Sequence, residues 1–203
     1  MSKIAENSAA KLITAKNCSI AIGLPTSISD FNLSLENSKN SYGHSFAGGW
    51  EQYKYQWLDP FTKFSNECCC LGVTFELTSS LHDLCEAFRR PHLHVFLLLS
   101  HWHSSEIEWC GKFESTYDFI QVMPPDFNGV IDLCICHPNT LAEQLGILRP
   151  SCLVRYTPTK VNPDRWLPYF KGIFRLLNTG KYSYITAHEA LGLQMAKKYS
   201  RQS

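Results

Sequence analysis

Apolar and polar positions alternate weakly before residue 71 and in sharp blocks after it. Val73 to Leu77 reads as a strand. Ser80 to Arg90 reads as a helix, because Leu81, Leu84, Cys85 and Phe88 recur at i, i+3, i+4 and i+7. Ser79 or Ser80 can cap its start, and Pro91 stops it. Leu93 to Ser100 is a near-continuous apolar run, the pattern of a strand buried on both faces of a parallel sheet. Trp102 to Met123 is polar and aromatic without clear periodicity. Val130 to Cys136 is a second apolar strand, entered through Pro124-Pro125 and Asn128-Gly129. Thr140 to Leu148 reads as a short helix ended by Pro150, and Cys152 to Tyr156 as a strand. Helices over Pro163 to Asn178 and Ser183 to Tyr199 close the chain, with Gly180 as a C-terminal cap between them.

The first third is harder to read. Cys18 to Leu24 suits one short strand. Residues 25 to 50 are the loosest stretch, with turn formers at Pro25-Thr26-Ser27 and Gly48-Gly49. Trp50 to Trp57 is aromatic-rich and reads as helix. Strands separated by helical segments predict an α/β fold with a mostly parallel sheet flanked by helices on both faces. With 203 residues, the default is one domain spanning 1–203.

Charge and cysteine usage narrow the function classes. A formal net charge of +1 gives no electrostatic reason to invoke nucleic acid or an anionic membrane. The most apolar run, Val95 to Leu99, is far shorter than the roughly 20 residues a membrane helix needs. Met1 to Lys11 lacks the apolar core of a secretory signal. The nine cysteines are odd in number, so reduced thiols and a cytoplasmic location are expected. Cys68-Cys69-Cys70 lacks zinc spacing, since adjacent cysteines cannot easily point at one ion. No metal or other cofactor is expected.

Ligands of open α/β sheets bind beyond the carboxyl ends of the strands. The strand Leu93 to Ser100 runs into His101, and Val130 to Ile135 runs into Cys136. If those strands are neighbours, a thiol and an imidazole emerge at one sheet edge. That pair is the minimal apparatus of nucleophilic acyl transfer. The competing reading is a buried structural cysteine beside a loop histidine.

The segment from about 73 to 193 resembles the CHAT branch of caspase-like, clan CD cysteine peptidases. A helix leads into Val95-Phe96-Leu97-Leu98-Leu99-Ser100-His101. Leu133-Cys134-Ile135-Cys136 is similar to the family's Leu-x-Ala-Cys, and Thr140-Leu141-Ala142-Glu143-Gln144-Leu145 to the helix that follows the nucleophile. A helix with Phe170, Phe174 and Leu177, then Gly180-Lys181-Tyr182-Ser183 and Ala187 to Ala190, resembles the closing pattern. Residues 71–199 match best and 1–66 poorly.

The resemblance implies a caspase-like cysteine endopeptidase with Cys136 as nucleophile and His101 as general acid/base. Cys134 is the alternative nucleophile. The backbone N–H groups of Trp102 and Cys136 would form the oxyanion hole. With Cys134 as nucleophile, Asp132, as in the Asp-x-Cys of metacaspases, is a candidate pocket residue for a basic P1 side chain; the competing and preferred reading of Asp132 is a strand residue facing a polar neighbour. Asp164 and Glu106 are further acidic candidates, and Arg155 and Arg165 would suit an acidic P1. Trp102 departs from the family's glycine after the histidine, and glycine reaches φ > 0 without strain. The resemblance also implies a protein substrate and a regulatory protein partner, in bacterial defence or regulated proteolysis. The alternative from another class is a weakly active or inactive module that binds a protein through Trp102, Trp109 and Tyr117. Leu99-Ser100-His101-Trp102-His103 also resembles the histidine turn of metallo-β-lactamase-like hydrolases, without their aspartate.

Overall fold

A computed structural model of the chain describes residues 10–37, 48–76, 78, 80–103, 106–135, 138–156 and 163–200, with side chains for all of these except 102, 103 and 193–200. The first strand, β1, is Cys18–Ile22. Helix α1, Ile28–Asn37, follows. A continuous helical stretch then comprises α2, Gly49–Tyr53, a π-helical turn, Lys54–Leu58, and α3, Asp59–Cys69. Strand β2 is Thr74–Glu76, α4 is Leu84–Phe88 and β3 is Val95–Leu99. Three short strands follow: β4, Trp102–His103; β5, Glu106–Trp109; and β6, Lys112–Ser115. The remaining elements are α5, Thr116–Val122; β7, Val130–Cys134; α6, Asn139–Leu148; β8, Leu153–Tyr156; α7, Pro163–Leu177; and α8, Tyr184–Ser200.

The main sheet has five parallel strands in the order β2-β1-β3-β7-β8. All five residues of β3 and of β7 are buried; β3 is apolar throughout and β7 at every position but Asp132, as suits a sheet covered on both faces. Leu97, Leu99, Val130 and Cys134 face one layer with Phe61, Phe64, Phe170, Phe174 and Tyr184, from α3, α7 and α8. Phe96, Leu98, Ile131 and Leu133 face the other, with Leu84, Phe88, Phe119 and Leu141 from α4, α5 and α6. The expected α/β class, parallel sheet and two-sided helical cover are therefore present.

Three local features differ from the expectations. Residues 28–37 form α1 inside the stretch read as loop. Ser27 caps it through the N–H of Asp30, and only Phe31 and Ser34 of α1 are buried, too few to leave a helical stripe. The helix expected at Trp50 to Trp57 continues to residue 69, interrupted by the π turn. Pro60 lies just past that turn; it has no N–H to donate and its ring crowds the preceding turn.

The polar segment after residue 101 holds a small antiparallel sheet, β4-β5-β6, and α5. Cys110 and Gly111, at φ 50° and 82°, make the two-residue turn between β5 and β6. Positive φ at both turn positions matches the twist of the strands they join.

Candidate functional site

Strands β3 and β7 are adjacent and parallel, with Leu99 opposite Cys134. Both therefore end at the same carboxyl edge. The small sheet is fastened onto that edge beside His101. The hydroxyl of Ser100 donates to the Glu108 carbonyl at 2.5 Å, and the Glu108 N–H donates to the His101 carbonyl at 3.0 Å. The Gly23 N–H donates to the Leu99 carbonyl at 2.9 Å, and the Cys110 N–H to the Gly23 carbonyl at 2.9 Å. A Cβ at residue 23 would overlap the Glu108 carbonyl and the Trp109 ring, so glycine permits this close approach.

His101 is half-buried as a residue, but its Nε2 is shielded from solvent. Its ring lies 5.0 Å from that of Trp57, tilted by 50°. Burial holds the imidazole down to about 4 from its ordinary 6.5, because the charged form loses its water. The imidazole is thus neutral at pH 7. Cys136 lies outside the described residues, as does His137. Beyond them Pro138 precedes α6, and its carbonyl accepts the Ala142 N–H at 2.9 Å.

Trp102 has extended backbone in β4, paired with Ile107. Cys110 is the only described non-glycine residue with positive φ. The strain expected of a tryptophan in a glycine's place is therefore absent. The proposed aromatic interaction surface is not one surface. Trp109 is 1% exposed, and its indole N–H donates to the Thr78 carbonyl at 3.2 Å, whereas Tyr117 is 61% exposed. Trp109 packs in the core because the hairpin folds back onto the sheet.

Cys134 is a core residue, 1% exposed, and burial first, then Asp132, pushes its thiol well above the ordinary value. A thiol held protonated and packed under helices is a poor nucleophile, which counts against the alternative assignment. Asp132 is fully buried and accepts from Arg155 Nη1 at 3.1 and 2.8 Å and from the Tyr184 hydroxyl at 2.8 Å. Burial pushes its carboxyl up against the pull of Arg155 and Tyr184. The carboxyl of Asp132 is thus engaged inside the protein, while the Arg155 side chain keeps 24% of its exposure. Glu106 and the α7 residues Asp164 and Arg165 are exposed.

Residues that sequence reasoning missed complete this network. His188 Nε2 lies 3.6 Å from Asp132, and its Nδ1 is 2.7 Å from the Tyr169 hydroxyl. Tyr184 and His188 stand at i and i+4 on α8, a spacing that marks one helix face and was the only available signal. Burial first, then Arg155, lowers His188 to about 2, so it is neutral.

Of the three adjacent cysteines, Cys68 is buried and Cys69 and Cys70 are exposed, as side chains on a helix end diverge. Among the described residues no group of three or more His, Cys, Asp or Glu could hold a metal ion. A cleft of about 1100 Å³ is lined in part by Phe88, Leu93, Val122, Pro124 and Asn128, and His101 is not among its lining residues. No described helix is long and apolar enough to cross a membrane. No family model matches this chain and no curated protein matches it.

Proposed function

We propose that the chain is a caspase-like cysteine endopeptidase of the CHAT type, acting on a protein substrate through Cys136 and His101. The observation that carries this reading is the pairing of β3 with β7, Leu99 opposite Cys134. His101 is two residues past Leu99, and Cys136 is two residues past Cys134. A parallel sheet sends both continuations to the edge where open α/β folds bind ligands.

In this reading the Cys136 sulfur attacks the scissile carbonyl carbon and neutral His101 takes the thiol proton. The C–N bond then breaks and His101 delivers that proton to the departing amine, leaving a thioester. Water attacks the thioester with His101 as base, releasing the carboxylic acid and restoring the thiol. The backbone N–H groups of Trp102 and Cys136 would receive the oxyanion, a contribution of about 3–4 kcal/mol per donor. The side chains of α1 and α2 gather beside this edge: the Tyr53 hydroxyl donates to the Pro25 carbonyl at 2.9 Å, and Phe31 packs against Tyr53.

The test is cleavage of a peptide library by the wild type, Cys136→Ala and His101→Ala, with each variant's fold checked by circular dichroism. Turnover by the wild type alone is expected. Equal turnover by Cys136→Ala would remove the nucleophile. No cleavage by any folded form would favour the partner-binding module.

A further inference from the structure

Resting on the dyad reading, we infer that Trp57 is a positioning residue for His101: its indole, delivered by the π-helical turn Lys54–Leu58, holds the imidazole in one orientation and closes it off from water. The two rings lie 5.0 Å apart at 50°, a tilted arrangement of the kind aromatic pairs prefer. The indole is itself wedged. Phe61 stacks near it, centroids 6.1 Å apart at 28°, and Trp57 packs against both the sheet core and the Phe31–Tyr53 cluster. A partner held on several sides can restrict an imidazole, whereas a loose one would move with it.

The delivery is unusual. The N–H of Asp59 reaches back to the Lys54 carbonyl, five residues away. Such turns are rare and often found at functional sites. One extra residue in a turn displaces later side chains by about 100° around the axis. The π turn thereby sets where Trp57 points relative to the buried face of α2. Tyr55, in the same turn, is 79% exposed and touches neither core cluster.

Two effects of an indole on an imidazole oppose each other. Its π face favours imidazolium, while its bulk excludes the water that imidazolium needs. Exclusion dominates here, as burial is the cause that lowers His101. An imidazole fixed in place favours the reacting geometry over binding, so its loss should appear in kcat more than in KM.

The test is a proton NMR titration of His101 in the full chain, run on the wild type, Trp57→Phe, Trp57→Leu and Tyr55→Leu, alongside peptide turnover. Trp57→Met replaces the leucine variant if circular dichroism shows that one unfolded. Trp57→Leu is expected to titrate about one unit or more higher, the scale of a lost desolvating neighbour. Its kcat should fall about tenfold with KM little changed. Trp57→Phe should stay near the wild type, and Tyr55→Leu should match it. A folded leucine or methionine variant that titrates like the wild type overturns the inference. The titration needs no activity, so undiminished turnover by Cys136→Ala would refute the dyad separately.

Discussion

Leu99 and Cys134 face each other across the last rungs of β3 and β7, the point at which the two strands leave the sheet together. This pairing separates two cysteines that the sequence places two residues apart. Cys134 is enclosed by the rung; Cys136 follows it. Mild iodoacetamide treatment of the native protein should spare Cys134, and also Cys68 and Cys152, whose thiols burial pushes up to about 12. Cys136 should be alkylated with the exposed Cys69 and Cys70. Peptide mapping by mass spectrometry reads the result. Cys134→Ala should keep activity while losing about 1 kcal/mol of stability, and faster labelling of Cys134 than of Cys136 would reverse the assignment.

The Asp132–Arg155 pair makes a second expectation. Asp132 has no solvent exposure, and the Arg155 side chain is 24% exposed. Removing one partner leaves a buried charge, so Asp132→Leu or Arg155→Leu should each cost about 3–5 kcal/mol. The double variant should cost clearly less than the sum, as measured by urea unfolding. Additive losses would show that the two charges are not coupled.

The two lowered histidines set the sign of an acid effect. In the folded chain His101 titrates at about 4 and His188 at about 2, against an ordinary 6.5 for both. Below about pH 6.5 the unfolded chain takes up these protons while the native chain does not. Their contribution to stability is therefore complete above that pH and declines as the pH falls towards the folded values. Urea midpoints at about pH 7.5 and about pH 5 should drop in that order, and His101→Gln and His188→Gln should each flatten the difference. An unchanged slope in both variants would contradict the burial argument.

Trp102→Gly should not rescue or raise peptide turnover. The extended backbone of β4 gives a glycine no strain to relieve. The substitution should instead destabilise the strand by about 0.5–1 kcal/mol through lost backbone order. A several-fold gain in kcat/KM would mean that the side chain, and not the backbone, limits the site.

Gly111→Ala probes the hairpin that is clipped to His101. Residue 111 has φ 82°, and an added Cβ would overlap the backbone carbonyl of Asp30. A loss of about 1–2 kcal/mol is expected from the left-handed conformation alone. Thermal unfolding measures it, and no change in Tm would contradict the strain assigned to a side chain at this position.

The strands and most helices after residue 71 were legible because each buries a face along a regular period. Val95–Leu99 is apolar at every position and Val130–Cys134 at every position but Asp132, the pattern of strands covered on both sheet faces. The capping by Ser80 and the turn at Gly180 were likewise local, decided by a few adjacent backbone groups. The pairing of β3 with β7 could only be supposed, since strand order is a contact between segments more than thirty residues apart. Helix α1 and the β4-β5-β6 hairpin escaped detection because their buried residues are few and partly polar. Ser34 and Glu108 meet in the interior through a 2.6 Å hydrogen bond that no periodicity announces.

The residue types at the strand ends, His101 and Cys136, were written in the chain, as was the apolar patterning that brings each strand to its end. Tertiary packing decided which of them have company. It seated Trp57 against His101, enclosed Cys134, and closed Asp132 into a cluster with Arg155, Tyr184 and His188. The physical reason is range: hydrophobic period and capping act within a few residues, whereas desolvation and ion pairing depend on whichever distant side chains arrive at the same place.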